Sequence, residues 1–115
     1  MFLMEYTLSP TFGHVVTYPE IDGEFMIDNA DSMSISINNI EARGKGHSYR
    51  MIKFLLETVK FQSGRRLFID TEASGFNFWA DKLQMVDTHE ETGYEYGTTV
   101  GQLLRLVRMK CRRFP

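Results

Sequence analysis

The chain has 115 residues, of which 43% are hydrophobic and 24% charged, with a formal net charge of −2. That length suits one domain around a single core, and the balance is that of an ordinary soluble globular protein. No transmembrane span is expected, for there is no long apolar run, nor a signal peptide, for the apolar start lacks a basic region and a long apolar stretch, and the single cysteine, Cys111, rules out an internal disulfide framework. A cytoplasmic setting is the expectation these features leave.

The charge is unevenly placed. Residues 104–115 hold Arg105, Arg108, Lys110, Arg112 and Arg113 with no acid, so the preceding chain sets the other eight bases against all fifteen acids. Such a basic segment attracts phosphate or an acidic partner. It lacks the interleaved aromatics of a nucleic-acid stacking platform, and cations at the end of a helix complement its dipole. Nucleic acid is therefore not the expected partner.

In chain order, residues 2–8 read as a strand crowded with aromatic and apolar side chains. Pro10 and Gly13 mark a turn, and residues 14–18, with Val15 and Val16, form a second strand. Residues 19–23 punctuate again. Phe25, Met26 and Ile27 place a third strand over residues 24–28, and Asn29, Ala30 and Asp31 compose a tight turn. Met33, Ile35 and Ile37 alternate with Ser34, Ser36 and Asn38, the period of a half-buried strand. These segments predict an antiparallel meander with short loops.

A glycine-rich turn follows, Arg43-Gly44-Lys45-Gly46-His47-Ser48, and a helix is predicted from about residue 48 to 62. Met51, Ile52, Leu55, Leu56 and Val59 recur at helical spacing, and Ser63-Gly64 supplies a C-cap. A short buried strand is expected over residues 66–71 on Leu67, Phe68 and Ile69. Strand, turn, helix and strand make a βαβ crossover, which favours a parallel pair. Residues 75–83 read as a further helix, residues 86–96 as acidic and turn-rich with a short strand at Tyr94 and Tyr96. Val100, Leu103, Leu104, Val107 and Cys111 then predict a closing helix capped by Thr98 or Thr99.

The glycine turn leaves a strand and opens a helix, where free backbone N–H groups and the helix dipole form a phosphate site. Gly44 and Gly46 let a ligand approach the backbone closely. A Walker A loop is excluded because Gly46 follows Lys45, and a dinucleotide fingerprint is excluded because position 49 is Tyr49. Arg43, Gly46 and Ser48 fall on the three fixed positions of a third pattern, and this stretch resembles motif A of the GCN5-related N-acetyltransferases. Phe78-Trp79-Ala80-Asp81-Lys82-Leu83-Gln84-Met85 is similar to that family's second motif, with Gln84 for its Gly and Met85 for its Phe. The two lie in the family's order and cover roughly residues 33–86.

The resemblance implies a single α+β domain with a mostly antiparallel central sheet, a βαβ acyl-coenzyme A-binding core and a splayed parallel strand pair. It implies acyl transfer from acetyl-coenzyme A to an amine. The turn, Arg43 to Ser48 with Gly44, Lys45, Gly46 and His47, would hold the pyrophosphate. Backbone near Asn39 and Ile40 would pair with the pantetheine arm, and Phe78 and Trp79 would border it. A base helps the amine lose its proton, and Asp28, Asp31 and Glu41 are the candidates nearest that strand. Trp79 stands where many members have a Tyr that protonates the leaving thiolate, and an indole cannot do that at neutral pH. A degenerate acyl-coenzyme A-binding or protein-interaction module is thus the alternative. Only residues 9–13 join the first two strands, where the family has two helices walling the acceptor site. An open acceptor side suits a protein or peptide lysine and admits a homodimer. No metal is expected, since His14, His89 and Cys111 lack ligand spacing.

Overall fold

The computed structural model describes residues 3–28, 31–70 and 77–114. The architecture is α+β, with antiparallel sheets and helices packed over them. β1 (Glu5–Ser9), β2 (Gly13–Tyr18), β3 (Gly23–Ile27) and β4 (Met33–Ile37) form an antiparallel meander in that order. Its hairpins have local causes. Ser9 Oγ accepts from the amides of Thr11 and Phe12 at 3.2 and 3.1 Å, closing the first turn. A 3₁₀ turn, Pro19–Ile21, joins β2 to β3 and ends on Asp22 in the left-handed region. Asp28 accepts from Ser32 N at 2.9 Å before β4, while Asn29 and Ala30 of the expected turn lie outside the described residues.

Register puts Val16, Phe25 and Ile27 on one face of this sheet. Against them lies α1 (His47–Val59), whose Met51, Ile52, Leu55 and Leu56 are buried. Burying each such side chain contributes about 1.5–3 kcal/mol, so this contact fixes where the start of α1 points. The opposite face presents Thr7, Glu24, Ser34 and Ser36, all exposed.

The helix is one turn shorter than the spacing predicts. It stops at Val59 because Lys60 takes a left-handed conformation (φ 59°) and its N–H bonds to the Leu56 carbonyl. That exit turns Phe61 against the edge of His14 and under the Arg65 guanidinium. Ser63 and Gly64 do not cap it; the Ser63 carbonyl accepts instead from Gly101 N at 2.9 Å.

β5 (Arg66–Ile69), β6 (Val86–Asp87) and β7 (Tyr96–Thr99) form a second antiparallel sheet in the order β5-β7-β6. A single parallel bridge, Ser32 with Phe68, joins β5 to the chain entering β4. Phe68 N donates there to the Asp31 carbonyl at 3.0 Å. Beyond it β4 runs toward the glycine turn while β5 pairs with β7. The acidic stretch holds α2 (His89–Thr92), and Tyr94 lies outside the strand that Tyr96 begins.

The aromatic motif is wound as a π-turn, Asn77–Lys82, with Leu83 N bonding to the Phe78 carbonyl at 3.0 Å. An α-helix was the expectation; the i+5 bonding widens it. Gly75 and Phe76 of that expectation lie outside the described residues. α3 (Val100–Cys111) is capped by Thr99, whose side chain accepts from Gln102 N, as its composition predicts. It runs back along α1 in the opposite sense, with Arg108 bonded to Glu57 and Phe114 reaching Arg50. Among the described residues, no helix is long and apolar enough to cross a membrane.

Candidate functional site

The glycine turn follows β4 through a short 3₁₀ turn, Ile40–Ala42. Gly44 (φ 76°) and Gly46 (φ 78°) both take left-handed backbone, a conformation costing an L-residue about 1–2 kcal/mol. Gly46 is the N-cap of α1 and offers no side-chain cap. The first amides of an α-helix have no partner within the helix, and a space lies ahead of α1.

That space is a cavity of about 300 Å³. Its walls are Ile37 at the end of β4, Ala42 to Gly44, Gly46 to Tyr49, Phe78 and Lys82 from the π-turn, and Phe114 from beyond α3. Of the residues singled out for the cofactor, Arg43, Gly44, Gly46, His47, Ser48 and Phe78 meet there.

Asn39, Ile40, Lys45 and Trp79 are not among the walls. Asn39 Oδ1 accepts from Glu41 N at 3.0 Å and Ile40 is exposed. Lys45 contributes its carbonyl to Arg50 Nη2 at 2.8 Å, fixing the turn. Trp79 is 3% exposed and belongs to the core, edge-on to Phe78. Phe78 faces the other way and stacks on Tyr49, ring centroids 5.5 Å apart.

Arg43 does local work. Its Nε and Nη2 donate to the Ile37 carbonyl at 3.2 and 2.9 Å, so the guanidinium braces the end of β4. His47 packs edge-on against Tyr18 and takes a hydrogen bond from Arg50 Nη2 at 2.8 Å. Burial, then the neighbouring Arg50 and Lys45 charges, hold its imidazole below the usual histidine range. At pH 7 it is neutral and adds no charge toward an anion. Burial raises the Tyr49 phenol, partly offset by Arg113, so it remains a hydrogen-bond donor.

The three candidate bases do not line this cavity. Asp28, bonded to Ser32, and Asp31 both precede β4; Ser32 and Asp31 stand five and six residues, or roughly 16–20 Å of extended chain, from Ile37 at about 3.3 Å per residue. Asp28 accepts from both the amide and hydroxyl of Ser32. Asp31 is ion-paired with Arg65. Glu41 is exposed in the 3₁₀ turn.

Sequence reasoning missed Tyr49, Lys82 and Phe114 as walls. Tyr49 was read as part of a helix start and Lys82 as one letter of the aromatic motif. Phe114 carries no sequence signal, because only the return of α3 along α1 brings it there.

A second, larger concavity of about 610 Å³ lies among Asp87 to Glu91, Glu95 and Tyr96. Two of its acids have partners: Asp87 Oδ1 accepts from His89 N at 3.0 Å, and Glu91 pairs with Arg66 of β5 at 2.6 Å. Thr88, buried at the base, donates to the Tyr94 carbonyl at 3.0 Å. No cluster of three or more His, Cys, Asp or Glu able to hold a metal occurs among the described residues.

None of the protein-family models, curated proteins or solved structures compared with this chain matches it.

Proposed function

We propose that this protein binds acetyl-coenzyme A at the glycine turn and transfers the acetyl group to an amine, as a compact N-acetyltransferase of the GCN5-related type. The observation that carries this reading is the cavity ahead of α1, where both left-handed glycines and the helix start meet the end of β4. Backbone amides at a helix start favour a diphosphate, and crevices where neighbouring strands part at their carboxyl ends are where open sheets take ligands. The single parallel bridge from Ser32, just before β4, to Phe68 of β5, with the two strands otherwise in separate sheets, suits a splayed pair of that kind.

The thioester supplies the acyl group. A neutral amine attacks its carbonyl carbon, the C–S bond breaks, and the thiolate leaves with the electron pair. The chain's part is to bind and orient: the turn holds the diphosphate and Phe78 packs the arm. The resemblance also supports Gln84 as the stand-in for a glycine, since Gln84 takes the left-handed conformation (φ 54°) that glycine favours. Only residues 10–12 join β1 to β2, all of them exposed, and so short a connection favours a protein or peptide lysine as acceptor, which the acidic body attracts.

A degenerate acyl-coenzyme A-binding module is the second reading. It is favoured by Trp79, which is sealed in the core and offers no hydroxyl to protonate a thiolate.

The test is one reaction with acetyl-coenzyme A and three competing acceptors: a lysine-rich peptide, spermidine and an aminoglycoside. Thiol release with acetylation chiefly of the peptide is expected. Binding without thiol release selects the module, and neither binding nor release refutes both. Preferential acetylation of the small amines refutes the open acceptor side.

A further inference from the structure

Beyond α3 the chain carries Phe114 back over the start of α1. Its Cβ and ring carbons stand 2.5–2.8 Å from where a Cβ on Gly46 would lie. The ring therefore fills the space that Gly46, lacking a side chain, leaves in front of the turn. It is also a wall of the cavity, with its centroid 6.1 Å from that of Tyr49.

Two hydrogen bonds seat it. The Phe114 carbonyl accepts from Arg50 Nη1 at 2.7 Å, and Phe114 N donates to the Cys111 carbonyl at 3.2 Å. Arg50 donates at the same time to the Lys45 carbonyl and to His47 Nδ1. One guanidinium thus ties the segment after α3 to the glycine turn. The ring is only half-buried, so the seat is shallow.

We propose that Phe114 is a displaceable strap on the glycine turn, covering Gly46 and competing with the diphosphate of coenzyme A. This rests on the coenzyme A reading above. On displacement Arg50 Nη1 exchanges a carbonyl for a phosphate oxygen, a stronger charge-assisted partner. The strap therefore selects for a ligand that brings anionic oxygens.

The experiment compares wild type with Phe114→Ala in two arms. Hydrogen exchange on a peptide spanning residues 44–50 reads the cover without any ligand. Calorimetric titration with coenzyme A reads the competition. Exchange at the start of α1 is expected to quicken in the variant, and affinity to tighten about tenfold, as for a site masked about nine-tenths of the time. Phe114→Leu should fall between the two and keeps the test open should the alanine variant not fold. Unchanged exchange overturns the strap. So does equal affinity, and so does weaker affinity in the variant, which would make Phe114 a wall of the site. If neither protein takes up coenzyme A, the coenzyme A reading falls and the exchange arm alone decides whether the strap stands.

Discussion

The glycine turn and the aromatic π-turn line the same cavity, and they are built on opposite terms. In the turn, two positions with positive φ are glycines, Gly44 has open space where a side chain would stand, and Ser48 and His47 line a cavity. In the π-turn, the largest side chain, Trp79, points into the core, and the chain leaves through Gln84, a left-handed residue that is not glycine. One segment lines the cavity with two short runs of residues around its glycines; the other gives most of its surface to packing and only Phe78 and Lys82 to the cavity. A motif read from letters does not distinguish these uses, because both contain small or aromatic residues at turn-like spacing.

The contrast is sharpest between the two glycines. A Cβ at Gly44 meets nothing within 4 Å, whereas one at Gly46 meets Phe114. Gly44→Ala should cost about 1–2 kcal/mol from left-handed backbone alone. Gly46→Ala should cost that and about 1 kcal/mol more for the burial of Phe114 it forfeits. In a Phe114→Ala background the two should become equal. Urea denaturation of the four variants checks this, and a difference that persists without Phe114 would mean that something else crowds Gly46.

Gln84→Gly tests the other segment. Glycine at φ 54° should raise stability by up to about 1 kcal/mol, through relief of left-handed strain less the entropy glycine loses on folding. A fall in melting temperature would show that the Gln84 side chain holds the π-turn exit.

The smallest effect is that of pH. Both His14 and His47 are held below the usual histidine range, chiefly by burial and then by neighbouring cations, Arg65 for the former and Arg50 and Lys45 for the latter. Their unfolded forms bind protons first, so this contribution is complete above that range and is lost as pH falls below it. His47→Gln should flatten the fall in melting temperature between pH 7.5 and pH 5.5. An unchanged slope would place the acid sensitivity elsewhere, His14 first.

Much of the frame was legible. Met33, Ile35 and Ile37 alternate as a half-buried strand must, Gly13 stands where the first hairpin turns, and Thr99 caps the last helix. The end of α1 was hidden because Lys60, not the Ser63-Gly64 pair, takes the left-handed exit. β6 and α2 have two and four residues, too few for a period to register. The π-turn has no sequence signature of its own. At the site, the glycine turn was legible because its chemistry is local. Asp28 and Asp31 were drawn in because they adjoin β4 in sequence, but a strand has two ends, and they occupy the one away from the cavity. Phe114 was invisible because its position depends on two helices packing in opposite senses across more than sixty residues of chain.

The central claim, that the glycine turn is a diphosphate site, is tested most directly by titrating coenzyme A into wild type and Gly46→Glu by calorimetry, with folding of both checked by circular dichroism. The carboxylate would enter the space ahead of α1 and repel phosphate. The account predicts that wild type binds and that a folded Gly46→Glu binds at least about a hundredfold more weakly, roughly 2.7 kcal/mol. Absence of binding by wild type at millimolar ligand, or equal binding by the two, would contradict it.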